Sequence, residues 1–289
     1  MSDFHKMLEQ LGVISCDRLE LYHDRVRDRE DVSVFRDPVT KVIVLSKASH
    51  ISDQYYAERD EEDGYIVRDQ KIISPRVSDN LRRKSDFLNY VQGKRWLDFG
   101  CGLGGTLEEL SDQSASCAGL EVNKLRAEFV ASKGYQVFNS IGELSHGSFD
   151  IITLFHVLEH LSEPVEALTD LKAKLAAGGK VLIEVPHAKD ALFDLYDCTE
   201  FKNFTFWSEH LVLHTRESLR AVAQAAGFKN IQIKSLQRYP LSNHLYWLSQ
   251  GLPGGHKVWP ELSSNELDRA YQAALAMLDQ TDTLLLIAS

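Results

Sequence analysis

From residue 95 onward, short apolar runs alternate with longer stretches in which apolar residues recur every three or four positions. That switch between periods of 2 and 3.6 marks strands alternating with amphipathic helices. Residues 95–99 read as a strand and 106–113 as a helix. A strand over 116–121 and a helix over 123–133, stopped by Gly134, come next, then strands over 135–138 and 149–154. Residues 163–176 place Val165, Leu168, Leu171 and Leu175 on one helical face, with Gly178 and Gly179 closing it. A strand over 180–185 stops at Pro186. Thr215 suits the N-cap of a helix carrying Leu219, Val222 and Ala226 and ended by Gly227. Strands are expected again at 231–235 and 283–288. Repeated β-α units of this kind imply a parallel sheet with helices on both faces.

The flanks read differently. Residues 1–30 look helical and strongly charged, and 31–46 alternate weakly through Val32, Val34, Val42 and Val44 around Asp37-Pro38, as a hairpin would. Residues 78–92 carry Leu81, Leu88 and Val91 at helical spacing and end at Gly93. Late in the chain, residues 241–280 hold the turn Leu252-Pro-Gly-Gly255 and a helix with Leu267, Tyr271, Ala274 and Leu278 on one face. The expected organisation is an N-terminal extension with a lid over 1–77, a core over 78–240 and 281–289, and a helical insertion over 241–280 that covers the substrate.

Composition narrows the function. The 289 residues are 44% hydrophobic and 26% charged, with a formal net charge of −10. A broad nucleic-acid footprint needs clustered Lys and Arg, so no nucleic-acid partner is expected. Arg82-Arg83-Lys84 reads as a solvated helix face. No apolar run approaches the roughly 20 residues of a membrane span, and the N-terminus lacks the apolar segment of a signal peptide. Cys16, Cys101, Cys117 and Cys198 lie far apart with no C-x-x-C pair, as reduced thiols in a cytoplasmic protein would. No metal is expected.

The run Trp96-Leu-Asp-Phe-Gly-Cys-Gly-Leu-Gly-Gly105 is the strongest chemical signal. A buried strand ends in a glycine turn where backbone can approach a ligand, and the next helix aims its free N–H groups over it. Glu121 follows about 20 positions later, at the end of the second strand. A carboxylate there can accept hydrogen bonds from both hydroxyls of an adenosine ribose. Asp98, just before the glycines, suits a cofactor bearing an ammonium.

With these features the stretch from about Gly93 to Ser289 resembles the class I S-adenosylmethionine-dependent methyltransferases. The segments Phe149-Asp-Ile-Ile-Thr-Leu-Phe-His-Val-Leu-Glu-His-Leu161 and 175–186 match the family's fourth- and fifth-strand regions. The resemblance implies a doubly wound, seven-stranded Rossmann-like α/β sheet with the last strand antiparallel. It implies S-adenosyl-L-methionine as cofactor. Gly100, Cys101, Gly102 and Gly104 would form the turn against its methionine part, with Asp98 at the ammonium. Glu121 would hold the ribose and Val122 flank the adenine, with Asn139 and Ser140 near its amine. Phe155 and His156 would line the reacting end. A nicotinamide-dependent oxidoreductase and a cofactor-binding regulatory protein without turnover are the alternatives.

Methyl transfer to oxygen or carbon needs alignment and usually a base. His156, His160, Glu209, His210 and His214 are the candidates, with His160, Glu209 and His210 preferred; the competing reading has His160 bonding backbone, Glu209 solvated and His210 packed under the lid. The segment 206–215 is similar to the Glu-His segment of deoxysugar C-methyltransferases, although the zinc-binding cysteines and the C-terminal domain of those enzymes are missing here. O-methylation stays open. His156-Val-Leu-Glu-His160 also fits a zinc-peptidase pattern, but the strand before it and the methyltransferase resemblance account for the run without a metal. A metal-assisted catechol mechanism would want carboxylates directly after the fourth strand, where Phe155 and His156 stand.

Tyr56, Arg76, Asn243 and His244 are the substrate candidates. Tyr56 falls where related enzymes fold a lid, Arg76 could meet a carboxylate or phosphate, and Asn243, His244 and His256 stand among aromatics suited to a sugar ring. The leading acceptor is therefore a sugar, nucleotide-activated forms included, or a related polar small molecule; a quinone, lipid-like or aromatic O-methyl acceptor is the alternative. Homo-oligomerisation is compatible with all of this.

Overall fold

The computed structural model describes residues 2–51, 55–56, 67–68, 71–72 and 77–289. Helix α1 spans Asp3–Gln10 and ends before Gly12, whose φ of 68° no helix can continue. The first 30 residues are thus not one helical stretch. Glu20–His23 is a strand, β1, that pairs antiparallel with β2, Val34–Arg36. Strand β2 pairs in turn with β3, Ile43–Leu45, so the expected hairpin around Asp37-Pro38 is present. Buried Asp37 organises the turn by accepting the N–H groups of Val39 and Thr40. A short antiparallel pair follows, β4 at Val67–Arg68 and β5 at Lys71–Ile72.

The core begins with α2, Val77–Val91, and β6, Arg95–Phe99. Helix α3 is Gly105–Leu110, β7 Ser116–Leu120, α4 Lys124–Ser132 and β8 Gln136–Phe138. Strand β9, Phe149–Phe155, is followed by one 3₁₀ turn at Leu158–His160 and by α5, Pro164–Lys174. Strand β10 spans Leu175–Pro186. The expected helix therefore ends before Leu175. That residue already pairs with Phe149, and the register slips before Lys180 pairs with Ile151, across the left-handed Gly178.

Two short helices, α6 at Ala191–Asp194 and α7 at Thr199–Thr205, precede β11, Val212–Leu213. Strand β11 pairs with β3, giving a second sheet of order β1-β2-β3-β11. Helix α8, Arg216–Ala225, opens on Thr215 in a capping box with Ser218. Strand β12 is Ile231–Leu236. Helices α9 (Leu241–Gln250), α10 (Gly255–Val258) and α11 (Asn265–Met277) fill the late segment, and β13, Thr283–Ala288, ends the fold.

The main sheet has the order β12-β13-β10-β9-β6-β7-β8, and β13 runs antiparallel to both its neighbours. Neighbouring strand residues face opposite sides. Ile152, Ile183, Leu284 and Leu286 join the cluster that includes Leu168, Leu171, Leu219 and Val222 of α5 and α8. Ile151, Leu182, Leu285 and Ile287 join the other, with Phe87, Leu107 and Leu110 of α2 and α3. Both faces are buried, which is why these strands read as continuous apolar runs.

One expectation fails in the packing. Arg82-Arg83-Lys84 is not a solvated face: Arg83 is 4% exposed, and both arginines bond to Glu184, which is fully buried in β10. Helix α11 buries Leu275, while Leu267 and Leu278 stay exposed, because its rotation is set where Tyr271 hydrogen-bonds His244 of α9 at 2.8 Å. Among the described residues no helix is long and apolar enough to cross a membrane.

Candidate active site

Strand β6 ends at the carboxyl edge of the sheet, where doubly wound folds bind ligands. Gly100, Gly102 and Gly104 all have left-handed φ, from 56° to 75°. A Cβ on Gly100 would lie 2.5 Å from Val157 Cγ2, and one on Gly104 would press on Val130 at 3.2 Å. On Gly102 a Cβ would meet no protein atom within 4 Å, and Gly102 lines a large cavity. The backbone there is open to a ligand.

Glu121 sits beside this turn, 6% exposed and on the cavity wall. One carboxylate oxygen accepts the Gly102 N–H and the other the Asn123 N–H, both at 2.9 Å. Burial pushes its pKa up. Asn139 donates to the Glu121 carbonyl at 3.0 Å, and Asn139, Ser140 and Val122 complete this wall.

Three expected cofactor residues stand behind the wall instead of on it, since Asp98, Cys101 and Gly104 are not among the lining residues. Asp98 is buried and accepts the Thr153 hydroxyl at 2.7 Å, and burial pushes it up to about 6. The Cys101 side chain packs over Gly119 in the core, where burial raises its pKa. Gly104 caps α3 and leaves room for Val130.

The cavity encloses about 1530 Å³. Phe155 and His156 line it at the end of β9. Phe155 is held between Phe87, with ring centroids 4.8 Å apart, and the Arg83 guanidinium, 4.5 Å above its ring. His156 takes a left-handed φ of 58°, which an imidazole tolerates only with support. Its Nδ1 lies 3.2 Å from an oxygen of Glu159, a carboxylate with no solvent exposure.

Four chain segments converge further along the wall. The 3₁₀ turn after β9 carries His160, and the loop before β11 carries Trp207, Glu209 and His210. Glu209 is buried at 3% exposure, contrary to the solvated reading. It accepts the Tyr55 hydroxyl at 2.9 Å, and its other oxygen lies 3.8 Å from His160 Nδ1. The Tyr56 hydroxyl stands 3.4 Å from the same Nδ1. The His160 and His210 rings are 5.0 Å apart, and Glu159 lies 3.9 Å from His160 Nε2. The Asn123 side chain donates to the Tyr56 carbonyl at 3.2 Å, tying this cluster to the Glu121 wall. Such an arrangement can orient an imidazole, take up a proton and stabilise the resulting cation between two carboxylates.

In the sequence, Glu159 stands out only within the His156–His160 metal pattern, which was set aside. It lies four residues beyond Phe155, and ligand atoms of Glu159, His160 and His210 fall within 4.8 Å of one another, a set that could hold a metal ion.

Asn243 and His244 line the cavity from α9, but their polar atoms brace the helical segment. Asn243 accepts the Gly254 N–H at 3.0 Å, and His244 bonds Tyr271 and Gln237. Burial drives His244 down to about 4, so it is neutral. Arg76 lies outside the described residues. Sequence reasoning missed Asp79, Asp190, Arg238 and Asp282, which also line the cavity. Their signal was an acid directly before the last strand and charges just beyond strand ends.

Comparison with known proteins agrees with this fold. Residues 70–233, more than half the chain, match the family described as "Methyltransferase domain". The chain belongs to that family. A structure described as a SAM-dependent methyltransferase from Archaeoglobus fulgidus superposes with a TM-score of 0.51 and 21% identity, covering 73% of this chain and 92% of that one. The seven-stranded sheet is thus the fold of the S-adenosylmethionine-dependent methyltransferases, and S-adenosylmethionine is the cofactor of that class.

Two relatives are named ubiquinone biosynthesis O-methyltransferase. The protein from Nitrosococcus oceani is 32% identical over 101 residues, 32% of this chain and 43% of its own length. The mitochondrial protein from Schizosaccharomyces pombe is 32% identical over 107 residues, 33% of this chain and 39% of its own length. A tRNA U34 carboxymethyltransferase from Pseudoalteromonas translucida is 26% identical over 158 residues, half of this chain and 47% of its own length. The chain spans less than half the length of each of these three relatives.

Proposed function

We propose that the protein transfers the methyl group of S-adenosylmethionine to a hydroxyl oxygen of a small aromatic acceptor, with His160 as the base. The observation that carries this reading is the convergence of Tyr56, His160, Glu209 and His210 on one wall of a cavity, with Tyr55 bonded to Glu209, while the other wall suits the cofactor. The open backbone at Gly102 and the paired oxygens of Glu121 suit the methionine and ribose parts. When bound, the cofactor supplies an electrophilic methyl on a sulfonium.

The chain's own residues do the rest. Phe155 and His156 shape the reacting end. His160 takes the hydroxyl proton as the new O–CH₃ bond forms and the S–CH₃ bond breaks. Glu209, held by Tyr55, orients the imidazole and balances its charge. Trp207, Phe193, Phe201 and Trp247 on the same cavity wall suit an aromatic or apolar acceptor.

The wall favours this over the sugar that the sequence suggested first. Among the described lining residues eight acidic side chains face four basic ones. A nucleoside diphosphate would be repelled there, since diphosphate recognition relies on clustered cations or helix N-termini. The names of the ubiquinone O-methyltransferase relatives support an O-methyl acceptor as well.

His160→Ala tests the base. Turnover of a catechol falls by about 10²–10⁴-fold, the usual worth of a positioned base, while S-adenosylhomocysteine binds with unchanged affinity. Full turnover in the variant would remove His160 from this role.

A further inference from the structure

At the carboxyl end of β10, where the antiparallel β13 begins, a second polar group faces the cavity. Asp190 caps α6 just after β10, and one of its oxygens accepts the Leu192 N–H at 2.8 Å. Arg238 follows β12. Its Nη1 donates to Asp79 at 3.2 Å, and Asp282 lies 3.7 Å from its Nε. Asp282 is itself engaged by the backbone N–H groups of Arg238 and Tyr239.

Asp190, Arg238, Asp79 and Asp282 all line the cavity. Among the described residues, the second oxygen of Asp190 and the Nη2 of Arg238 have no hydrogen-bond partner. Neither is among the sealed unpartnered atoms, unlike Arg238 Nε. Both are therefore offered to the cavity.

The charge around them selects the ligand. Arg238 is already balanced by Asp79 and Asp282, so a further anion would meet a surplus of negative charge. An uncharged oxygen would not. The guanidinium and a protonated carboxyl, both lining this cavity, would suit a carbonyl, whose oxygen has two lone pairs.

We propose that Asp190 and Arg238 form a second anchoring point that grips an uncharged carbonyl or hydroxyl oxygen of the acceptor, opposite the reacting hydroxyl. The inference rests on reading the cavity as a methyl-acceptor chamber. Asp190 serves as a donor because burial and the neighbouring Asp282 push it up to about 8, against the opposing pull of Arg238. Tyr271 of α11 is the other titratable group that senses Asp190, and it stays neutral because burial raises its own pKa. Below about pH 8 Asp190 therefore presents O–H; above it, an acceptor-only carboxylate that repels a carbonyl.

Catechol, 3,4-dihydroxyacetophenone and 3,4-dihydroxybenzoate test this. The ketone should show a KM at least tenfold below that of catechol at pH 7, as charge-assisted hydrogen bonds are worth, and the benzoate should bind more weakly than the ketone. KM is the readout because the carbonyl also alters ring acidity. The preference fades above pH 8 in the wild type and persists in Asp190→Asn, which keeps a donor without titrating. Asp190→Val and Arg238→Lys lose it; the lysine keeps the charge beside Asp79 and Asp282, so folding is preserved.

Equal KM values for catechol and ketone, or a preference for the benzoate, would overturn the anchor. Calorimetry on the protein loaded with S-adenosylhomocysteine separates this from the broader reading. Ketone binding that Asp190→Val weakens tenfold, without any methyl transfer, would keep the anchor and overturn the acceptor assignment. No ketone binding at all would overturn both.

Discussion

Gly100→Ala probes the hinge between cofactor turn and base. Gly100 has a φ of 72°, where an alanine costs about 1–2 kcal/mol. Its Cβ would also stand 2.5 Å from Val157 Cγ2, well inside contact distance. Overpacking of that kind costs about 1–3 kcal/mol. The sum is a destabilisation of about 2–5 kcal/mol. Val157 directly precedes the turn Leu158–His160 that carries Glu159 and His160, so the displaced side chain disturbs both halves of the site. Urea melts of wild type, Gly100→Ala, Val157→Ala and the double variant separate the two contributions. The double variant should recover the steric part, giving a coupling of about 1–3 kcal/mol, and retain the left-handed penalty. Costs that add within about 0.5 kcal/mol would mean that Gly100 and Val157 are not in contact, and the reasoning fails.

Glu121→Ala should weaken S-adenosylhomocysteine about 10–100-fold by calorimetry, because it removes a charged acceptor of two hydroxyls; an unchanged affinity would displace the ribose from this wall. Dialysis against EDTA should leave turnover intact, since His160 and Glu209 act as an organic base. A loss that zinc or magnesium restores would reassign Glu159, His160 and His210 as a metal centre.

The sheet was legible because its strands are buried on both faces. Runs such as Leu284 to Ile287 have no polar side to confuse with a helix. Capping chemistry marked α8 through Thr215, while the cap of α4, Asn123, whose side chain accepts the Arg126 N–H, was read as part of the helix. The glycine turn and Glu121 were legible because their chemistry is local. What escaped was long-range. Strand β11 is two residues long and finds its partner β3 across some 170 residues, so no periodicity announces it. Arg83 reads as surface until Glu184 is placed opposite it; an acid inside the apolar run of β10 was the available clue. Leu267 and Leu278 belong to a helix whose rotation depends on one bond, Tyr271 to His244, between separate elements. The Asp190–Arg238 group likewise exists only where the ends of β10, β12 and β13 meet.

The central claim is methyl transfer to an aromatic hydroxyl, and product NMR with ¹³C-methyl S-adenosylmethionine tests it most directly. With 3,4-dihydroxyacetophenone as acceptor, the label should appear as a methoxy carbon on the ring, and only when protein and cofactor are both present. Label found on carbon or nitrogen, or transferred to sugar hydroxyls while phenols stay unlabelled, would contradict the account.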